Sequence, residues 1–452
     1  MKSFSQKTKL TLLLASAAAL SPLAAAEENT AELREQIQQL DQKLRILERN
    51  LELKEEAAQK ASAESSKKLP NFSIGSKGIS LASPDKAYSA KIGALVQADG
   101  RFYLDDGADN RNTFILRRVR TPFSGTVAKI FNFNITPEFA QADATSTNNN
   151  TQLVDAWIDG RFSKAFGLKV GKFASPVALE TPNNRHFIEA TYTNQLAPNR
   201  DIGVEAFGSV ADNLLAYRLG VFNGAPNNTW SGTRNGTDGD FTVGGRLTLN
   251  PFEKNDNALA GLSLSVGGSY GNEAGATSAI RSPGQQNIVG SLTADGHHLR
   301  VAPALEWYTG PFSLVAELAY DQQEIAGGNT VGNLGWRVSG GWVLTGENSS
   351  KGGVSPAKPF SWENGTWGAF ELVARVSGLD IDNDAFTTHG GSLNPATNAD
   401  GAFSYGAGLN WYLNDNLQVR FDVEKTNFSG GSGSQLLAEN ELYAFTRVQL
   451  KF

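Results

Sequence analysis

From about residue 88 to its last residue this chain alternates apolar and polar side chains, segment after segment. An extended strand sends successive side chains to opposite faces, so each segment has one oily side and one wet side. The first run sets Ala90, Ile92, Ala94, Val96 and Ala98 against Lys91, Gln97, Asp99 and Arg101. Phe131, Phe133 and Ile135 oppose Asn132, Asn134 and Thr136, and Leu262, Leu264 and Val266 oppose Ser263 and Ser265. Leu299, Val301, Leu305 and Trp307 oppose His298, Arg300 and Glu306. One such run fits a soluble sandwich. Many together fit strands with lipid on one side and water on the other, because the polar face stays charged and aromatics recur near the segment ends.

Sixteen segments can be counted, beginning near residues 89, 114, 131, 153, 168, 202, 214, 241, 260, 298, 312, 334, 367, 402, 417 and 441. An even count brings both ends of a closed barrel to the same side. Short links such as Ala128-Lys129, Asp212-Asn213, Gly310-Pro311 and Asn414-Asp415-Asn416 would face the periplasm. Long Asn/Gly/Thr-rich links near 142–151, 223–240, 271–297, 379–401 and 429–440 would face outward. The stretch from Gly346 to Thr366 falls on the short-link side and breaks the rule. The last strand ends Leu442, Ala444, Thr446, Val448, Leu450, Phe452, and a terminal Phe on an alternating strand is how outer-membrane barrels finish. After the N-terminal leader no long uninterrupted apolar run occurs and the mean hydropathy is −0.30. Spanning helices are therefore excluded, and a closed barrel is the other structure that leaves no backbone group unpaired in lipid.

The N-terminus reads differently. Lys2, Lys7 and Lys9, an apolar stretch from Leu10 to Leu20, and Ala24-Ala25-Ala26 before Glu27-Glu28 form a secretory signal peptide, residues 1–26. The stretch is shorter than the roughly 20 apolar residues of a membrane anchor. Residues 27–68 follow as a charged helix whose Leu33, Ile37, Leu40, Leu44, Leu47 and Leu51 recur at spacings of four and three. This is a heptad seam, and nothing nearby is apolar enough to cover it, so a short periplasmic coiled coil between chains is expected, with a linker at its end. The barrel domain then runs from 69 to 452. The fold class is all-β, a sixteen-stranded antiparallel transmembrane barrel preceded by an α-helical coiled coil.

The chain has no cysteine, hence no thiolate metal site and no thiol nucleophile. His186, His297, His298 and His389 fall in or beside loops without a convincing serine partner. Neither an enzyme nor a metal or cofactor site is expected. The net charge of −6 argues against nucleic-acid binding. It does not decide pore selectivity, which a few charges at the narrowest point control.

A barrel of this size encloses a water channel, so something must narrow it. Ser175 to Asp201 is a long link with Phe187, Ile188, Tyr192 and Leu196 to pack and Glu180, Arg185, His186, Glu189, Arg200 and Asp201 to be solvated, as a loop folded into the lumen requires. Strand parity also turns Arg101, Arg118, Arg120, Arg161, Arg218, Arg246, Arg300, Arg337, Arg375, Arg420 and Arg447 inward. Asp99, Asp155, Asp159, Glu306, Glu371, Asp422 and Glu424 answer them. Two uses are open: transient contacts to passing anions, for which the guanidinium is suited, or a salt-bridge lattice that stiffens the wall. Arg117, Arg118 and Arg120 are the densest basic cluster, although parity turns Arg117 away from the other two.

Several stretches, in order, resemble the phosphate-selective porin family O and P: ILRRVR at 115–120, LVDAWIDGRFS at 153–163, LKVGKFASPVALE at 168–180, LAPNRDIGV at 196–204, YRLGVFNG at 217–224, ELVARVSGLD at 371–380 and the closing RVQLKF. The resemblance implies a trimeric porin in the bacterial outer membrane. It also implies a third extracellular loop that folds inward and an arginine ladder leading anions to a lysine-bearing narrow zone. Carried over, Arg117, Arg118, Arg120, Arg218 and Arg246 are ladder candidates, and Lys172, Arg185 and Arg200 bound the loop. The loop itself departs from the pattern in holding no lysine between Phe173 and Arg200. The expected function is passive diffusion of small solutes, anions such as phosphate among them. The alternative is a general low-selectivity porin whose coiled coil spaces or tethers the outer membrane to the cell wall.

Overall fold

The computed structural model describes residues 25–68, 70–105, 112–140, 151–180, 186–224, 240–387 and 393–452. The expected signal peptide lies almost wholly outside the described residues. The chain divides into two units, up to Leu69 and from Pro70 on.

The first unit is one helix, Ala25–Lys68. Its sequence contains neither Gly nor Pro and is rich in Ala, Leu, Glu, Gln and Lys, the residues that lose least on becoming helical. Asp41 with Arg45 (3.0 Å) and Arg49 with Glu52 (2.9 Å) bridge adjacent turns, each worth about 0.2–0.5 kcal/mol. Leu33, Ile37, Leu40, Leu44, Leu47 and Leu51 are all exposed along this helix.

The second unit is a closed antiparallel barrel whose described residues form sixteen staves. They are Leu95–Tyr103, Thr113–Arg120 continued by Phe123–Val127, Phe131–Glu138, Gln152–Arg161, Gly167–Ala174, Arg200–Val210, Leu215–Phe222, Thr242–Leu249, Leu262–Ala276, Thr293–Thr309, Phe312–Ile325, Thr330–Val343, Ala369–Asp380, Ala399–Tyr412, Leu417–Gly430 and Glu441–Lys451. The last stave pairs with the first, Arg447 opposite Asp99, which removes every sheet edge within that ring. Below the last stave, Phe452 exchanges backbone hydrogen bonds with Ala94 (2.9 and 3.0 Å). There the first stave is extended by Ser89–Ile92, and a hairpin, Asn71–Gly75 with Gly78–Ala82, pairs beside it where the last stave no longer reaches.

The faces divide as the alternation requires. Phe114, Val170, Leu219, Val243, Trp342, Phe403 and Phe421 are exposed on the outside, while Asp99, Arg118, Glu205, Arg375 and Glu424 are buried within. Among the described residues no helix is long and apolar enough to cross a membrane. One crossing point needs glycine: Gly171 has φ +125°, and a Cβ there would lie 2.2 Å from the Ala156 carbonyl oxygen on the neighbouring stave. Gly171→Ala is therefore expected to cost about 1–3 kcal/mol for the backbone conformation alone. A lower unfolding temperature of the detergent-folded barrel is the measurement.

At the long-link end the links pack on one another. Parts of 142–151 and 223–240 lie outside the described residues, but the link after Ala276 folds into a hairpin, Ile280–Arg281 with Asn287–Val289. Its Ile280, Ile288 and Val289 pack with Ile381 and Leu393 of the 381–398 link, with Leu437, and with Tyr192 and Leu196. These apolar residues follow no strand period, so only the folded chain shows that they share a core.

Candidate functional site

The chain leaves the fifth stave at Ala174 and returns at Arg200, with Ser175 N–H donating to Asn199 O (2.9 Å) to close the base of the loop. Between these points it crosses the interior. Arg246 donates to the carbonyls of Pro176 and Val177 (both 2.7 Å), and Glu317 accepts from the backbone of Leu179 (2.5 Å) and Glu180 (2.9 Å). Residues 181–185, and with them the predicted Arg185, lie outside the described residues. From His186 on, the loop meets the far wall. The His186 ring nitrogens lie 2.9 and 3.0 Å from the hydroxyls of Ser313 and Ser339. Asn410, Arg420, Arg447 and Arg375 donate in turn to the carbonyls of His186, Phe187, Ile188 and Glu189, at 2.7 to 3.3 Å. Asp422 accepts from the Ile188 N–H (2.5 Å) and Tyr192 reaches Ser404 (2.9 Å). Residues 186–191, which form neither helix nor strand, have been given side-chain partners for their backbone, as buried peptide groups require, before the short helix Tyr192–Gln195 begins.

Glu189 is the charged centre of this contact. Its carboxylate takes Arg117 at 2.7 and 3.1 Å, Arg101 at 2.9 Å and Arg447 at 3.3 Å. Arg447 also grips Asp99 with two bonds (2.6 and 2.7 Å). Burial disfavours the charge on Glu189, but the guanidiniums, Arg117 foremost and then Arg101, outweigh it and hold the carboxyl well below its ordinary range. Arg117 is present here against the parity expectation. Gln97 pairs with Arg118 and Ala98 with Leu116, so Arg117 is the extra residue of a β-bulge. A bulge breaks the alternation and lets Arg117 and Arg118 both turn inward.

The other predicted residues are placed as follows. Arg118 is buried and donates to Gln97 (2.7 Å), while Arg120 pairs with Glu138 (2.6 Å). Arg200 bonds Asp155 (3.1 Å), and Lys172 is buried with those two as charged neighbours. Arg246 holds the loop, as above. Arg218 pairs with Glu205 (2.8 Å), yet 37% of its side chain stays exposed while that of Glu205 is 1% exposed. Sequence reasoning missed Lys169. Its ammonium lies 4.6 Å from the ring centre of Trp157, 5.4 Å from Phe173 and 5.6 Å from Phe207, and the exposed Arg161 lies over Phe207 at 5.5 Å. The alternation of Leu168, Lys169 and Val170 and the register, Asp159 opposite Lys169, put this lysine on the wet face of the fourth and fifth staves.

A second charged lattice joins His298 and Arg300 to Glu273 and Asp321, at 2.5 to 3.1 Å. Among the described residues no cluster of His, Asp or Glu is arranged to hold a metal ion.

A family model described as phosphate-selective porin O and P matches residues 91–430. No curated protein matches by sequence. Solved structures share the fold at low identity. The outer membrane channel DcaP of Acinetobacter baumannii is 11% identical, with a TM-score of 0.53 over 81% of this chain and 98% of that one. The anion-selective porin from Comamonas acidovorans is 11% identical, with a TM-score of 0.52 over 81% and 100%. OmpT of Vibrio cholerae in its trimer form is 10% identical, with a TM-score of 0.52 over 81% and 100%.

Proposed function

Because this chain belongs to the phosphate-selective porin O and P family, a channel of the outer membrane and not an enzyme, we propose that it passes small solutes by diffusion with a weak preference for anions. The observation that carries this reading is an asymmetry on one wall, across the fourth to seventh staves. There the cations Arg161, Lys169 and Arg218 keep solvent contact while the acids Asp159, Asp201 and Glu205 are buried and the half-buried Asp155 is paired with Arg200. Water in the lumen meets more positive than negative charge, and a cation that is still hydrated can exchange part of an anion's hydration shell without trapping it. The anion selectivity stated for the Comamonas acidovorans porin, which shares the fold, agrees with this reading. The test is the zero-current potential of the purified protein in a planar bilayer under a KCl gradient, repeated with phosphate. A chloride preference that phosphate suppresses supports the reading; a potential near zero rejects it.

An unselective pore is the second reading, and a specific observation favours it. Arg101, Arg117, Arg246, Arg375, Arg420 and Arg447 are all engaged with loop carbonyls or buried acids, which leaves fewer cations for solute. The same recording separates the two.

The exposed seam of the helix from Ala25 to Lys68 calls for copies of itself, and the trimer form of the Vibrio cholerae neighbour gives the copy number to try first. Ile37→Asp with Leu44→Asp puts charges in that seam and is expected to abolish chemical cross-linking between helices while the barrel folds normally. If cross-linking persists, the seam is not the contact. A tether role for the helix predicts that deleting residues 27–68 weakens the cell envelope with conductance intact; unchanged envelope integrity counts against it.

A further inference from the structure

The wet face of a membrane barrel is polar as a rule, yet one stretch of this one carries aromatic rings. Trp157 alternates with Asp155, Asp159 and Arg161 on the fourth stave, and Phe207 with Glu205 on the sixth. Both rings therefore turn away from the lipid side, where Ile158 and Val204 are exposed. Each stands opposite a glycine of the fifth stave, Trp157 opposite Gly171 and Phe207 opposite Gly167. A Cβ on Gly167 would meet the Phe207 ring at 2.6 Å, so that ring lies directly on the backbone. The buried Phe173 completes the group and meets Phe222 edge to face at 5.8 Å.

Two cations stand among these rings. The Lys169 ammonium is 4.6 Å from the Trp157 ring centre and 5.6 Å from that of Phe207, and the Arg161 guanidinium is 5.5 Å from Phe207. The acids opposite Lys169 on its two neighbouring staves are held by other donors, Asp159 by Asn132 (2.9 Å) and Glu205 by Arg218 (2.8 Å). Among the described residues neither Lys169 nor Arg161 is left with an ion-pair partner. Trp157 and Phe207 are half-buried, so ring surface stays open to water beside both charges.

We propose that this wall is a binding site for organic anions that carry a flat apolar ring, such as aryl carboxylates, and that it retains them longer than phosphate; the proposal rests on the anion preference inferred above. The carboxylate meets Lys169 and Arg161, while the ring lies offset on Trp157 or edge to face with Phe207, the arrangements that aromatic pairs favour. Phosphate presents oxygen on every side and can use the charges alone. Ring surface open to lumen water is unfavourable by itself, and a solute ring covers it. A few placed charges beside aromatic surface are the two components that a site for such a ligand combines. Gly167 and Gly171 add the room that lets the rings lie along the wall.

The test is block of chloride current through the full protein in a planar bilayer, with benzoate or acetate added to one side at neutral pH and the zero-current potential recorded in the same bilayer. Both anions carry one carboxylate, and only benzoate carries a ring. Benzoate is expected to reach half block at a concentration about two- to tenfold below that of acetate, the range that one ring pair supplies. Trp157→Leu with Phe207→Leu keeps apolar bulk and removes the ring faces, and is expected to bring the two half-blocking concentrations together. Equal block by the two anions in the parent, with chloride preferred, overturns this inference and leaves the anion preference standing. A benzoate advantage that survives in the double variant also overturns it, because the ring is then bound elsewhere. A parent without chloride preference rejects the anion reading and this site with it. The comparison in the parent does not depend on the variant folding.

Discussion

Replacing Glu189 with alanine is expected to release the tip of the 175–201 loop and to raise single-channel conductance with added open-channel noise. The substitution leaves Arg101, Arg117 and Arg447 facing one another without their shared anion. Breaking a buried ion pair by removing one partner costs about 3–5 kcal/mol, which is enough to shift a locally folded loop toward open states. Glu189→Gln keeps the size and removes the charge, so a similar effect assigns the clamp to electrostatics. An unchanged conductance in both means that the carbonyl bonds from Arg375, Arg420 and Arg447 suffice. The acid dependence has a definite sign. The carboxyl is held below its ordinary value of 4.5, so its contribution is fully present above that value and is lost only as pH falls through the lower folded value. The conductance difference between the parent and Glu189→Gln is therefore expected to persist from neutral pH through 4.5 and to close only in stronger acid. A difference that closes in the ordinary carboxylate range refutes the clamp.

The second large effect is on selectivity. Arg161→Gln with Lys169→Gln removes two solvated cations from one wall without breaking any ion pair described above, whereas loss of Arg218 leaves Glu205 buried without its partner. A charge about 4 Å away in water contributes about 1 kcal/mol, a factor of about five in local anion concentration. The double variant is expected to move the zero-current potential through zero toward cation preference, with conductance changed little. Arg246→Gln serves as contrast. That side chain holds the loop carbonyls, so its loss is expected to increase channel noise without reversing the sign. A reversal with Arg246→Gln, and none with the Arg161 and Lys169 pair, locates selectivity at the loop instead.

Most staves were legible to within a few residues, although those expected near 298 and 334 begin earlier, at Thr293 and Thr330. Segments expected near 131, 153, 168, 312, 417 and 441 begin at Phe131, Gln152, Gly167, Phe312, Leu417 and Glu441. Lipid on one side and water on the other force a period of two that no soluble core imposes so regularly. The site was legible in part. The sequence marks 175–201 as a link with both packing and charged residues. It does not mark the partners, which lie 124 to 259 positions away in the contacts to Thr193 and Ile188. Arg117 shows the limit most clearly: one residue of bulge reverses its side, and no periodic pattern records a bulge. Lys169 shows another, since its ring partners come from three staves.

What the amino-acid sequence determined alone is the closed barrel, its sixteen staves and the division of its two faces, because each follows from local alternation repeated along the chain. The heptad seam is likewise a local period, though its partner is not written in one copy. The tertiary structure alone decided which arginines are consumed in holding the loop and which stay solvated. It also decided that the loops at the long-link end share a core, and that Phe360, Trp362 and Trp367 join the rings of Phe370 and Trp411. Those outcomes depend on cross-barrel register and on chance proximity of distant segments, for which hydrophobic periodicity carries no information.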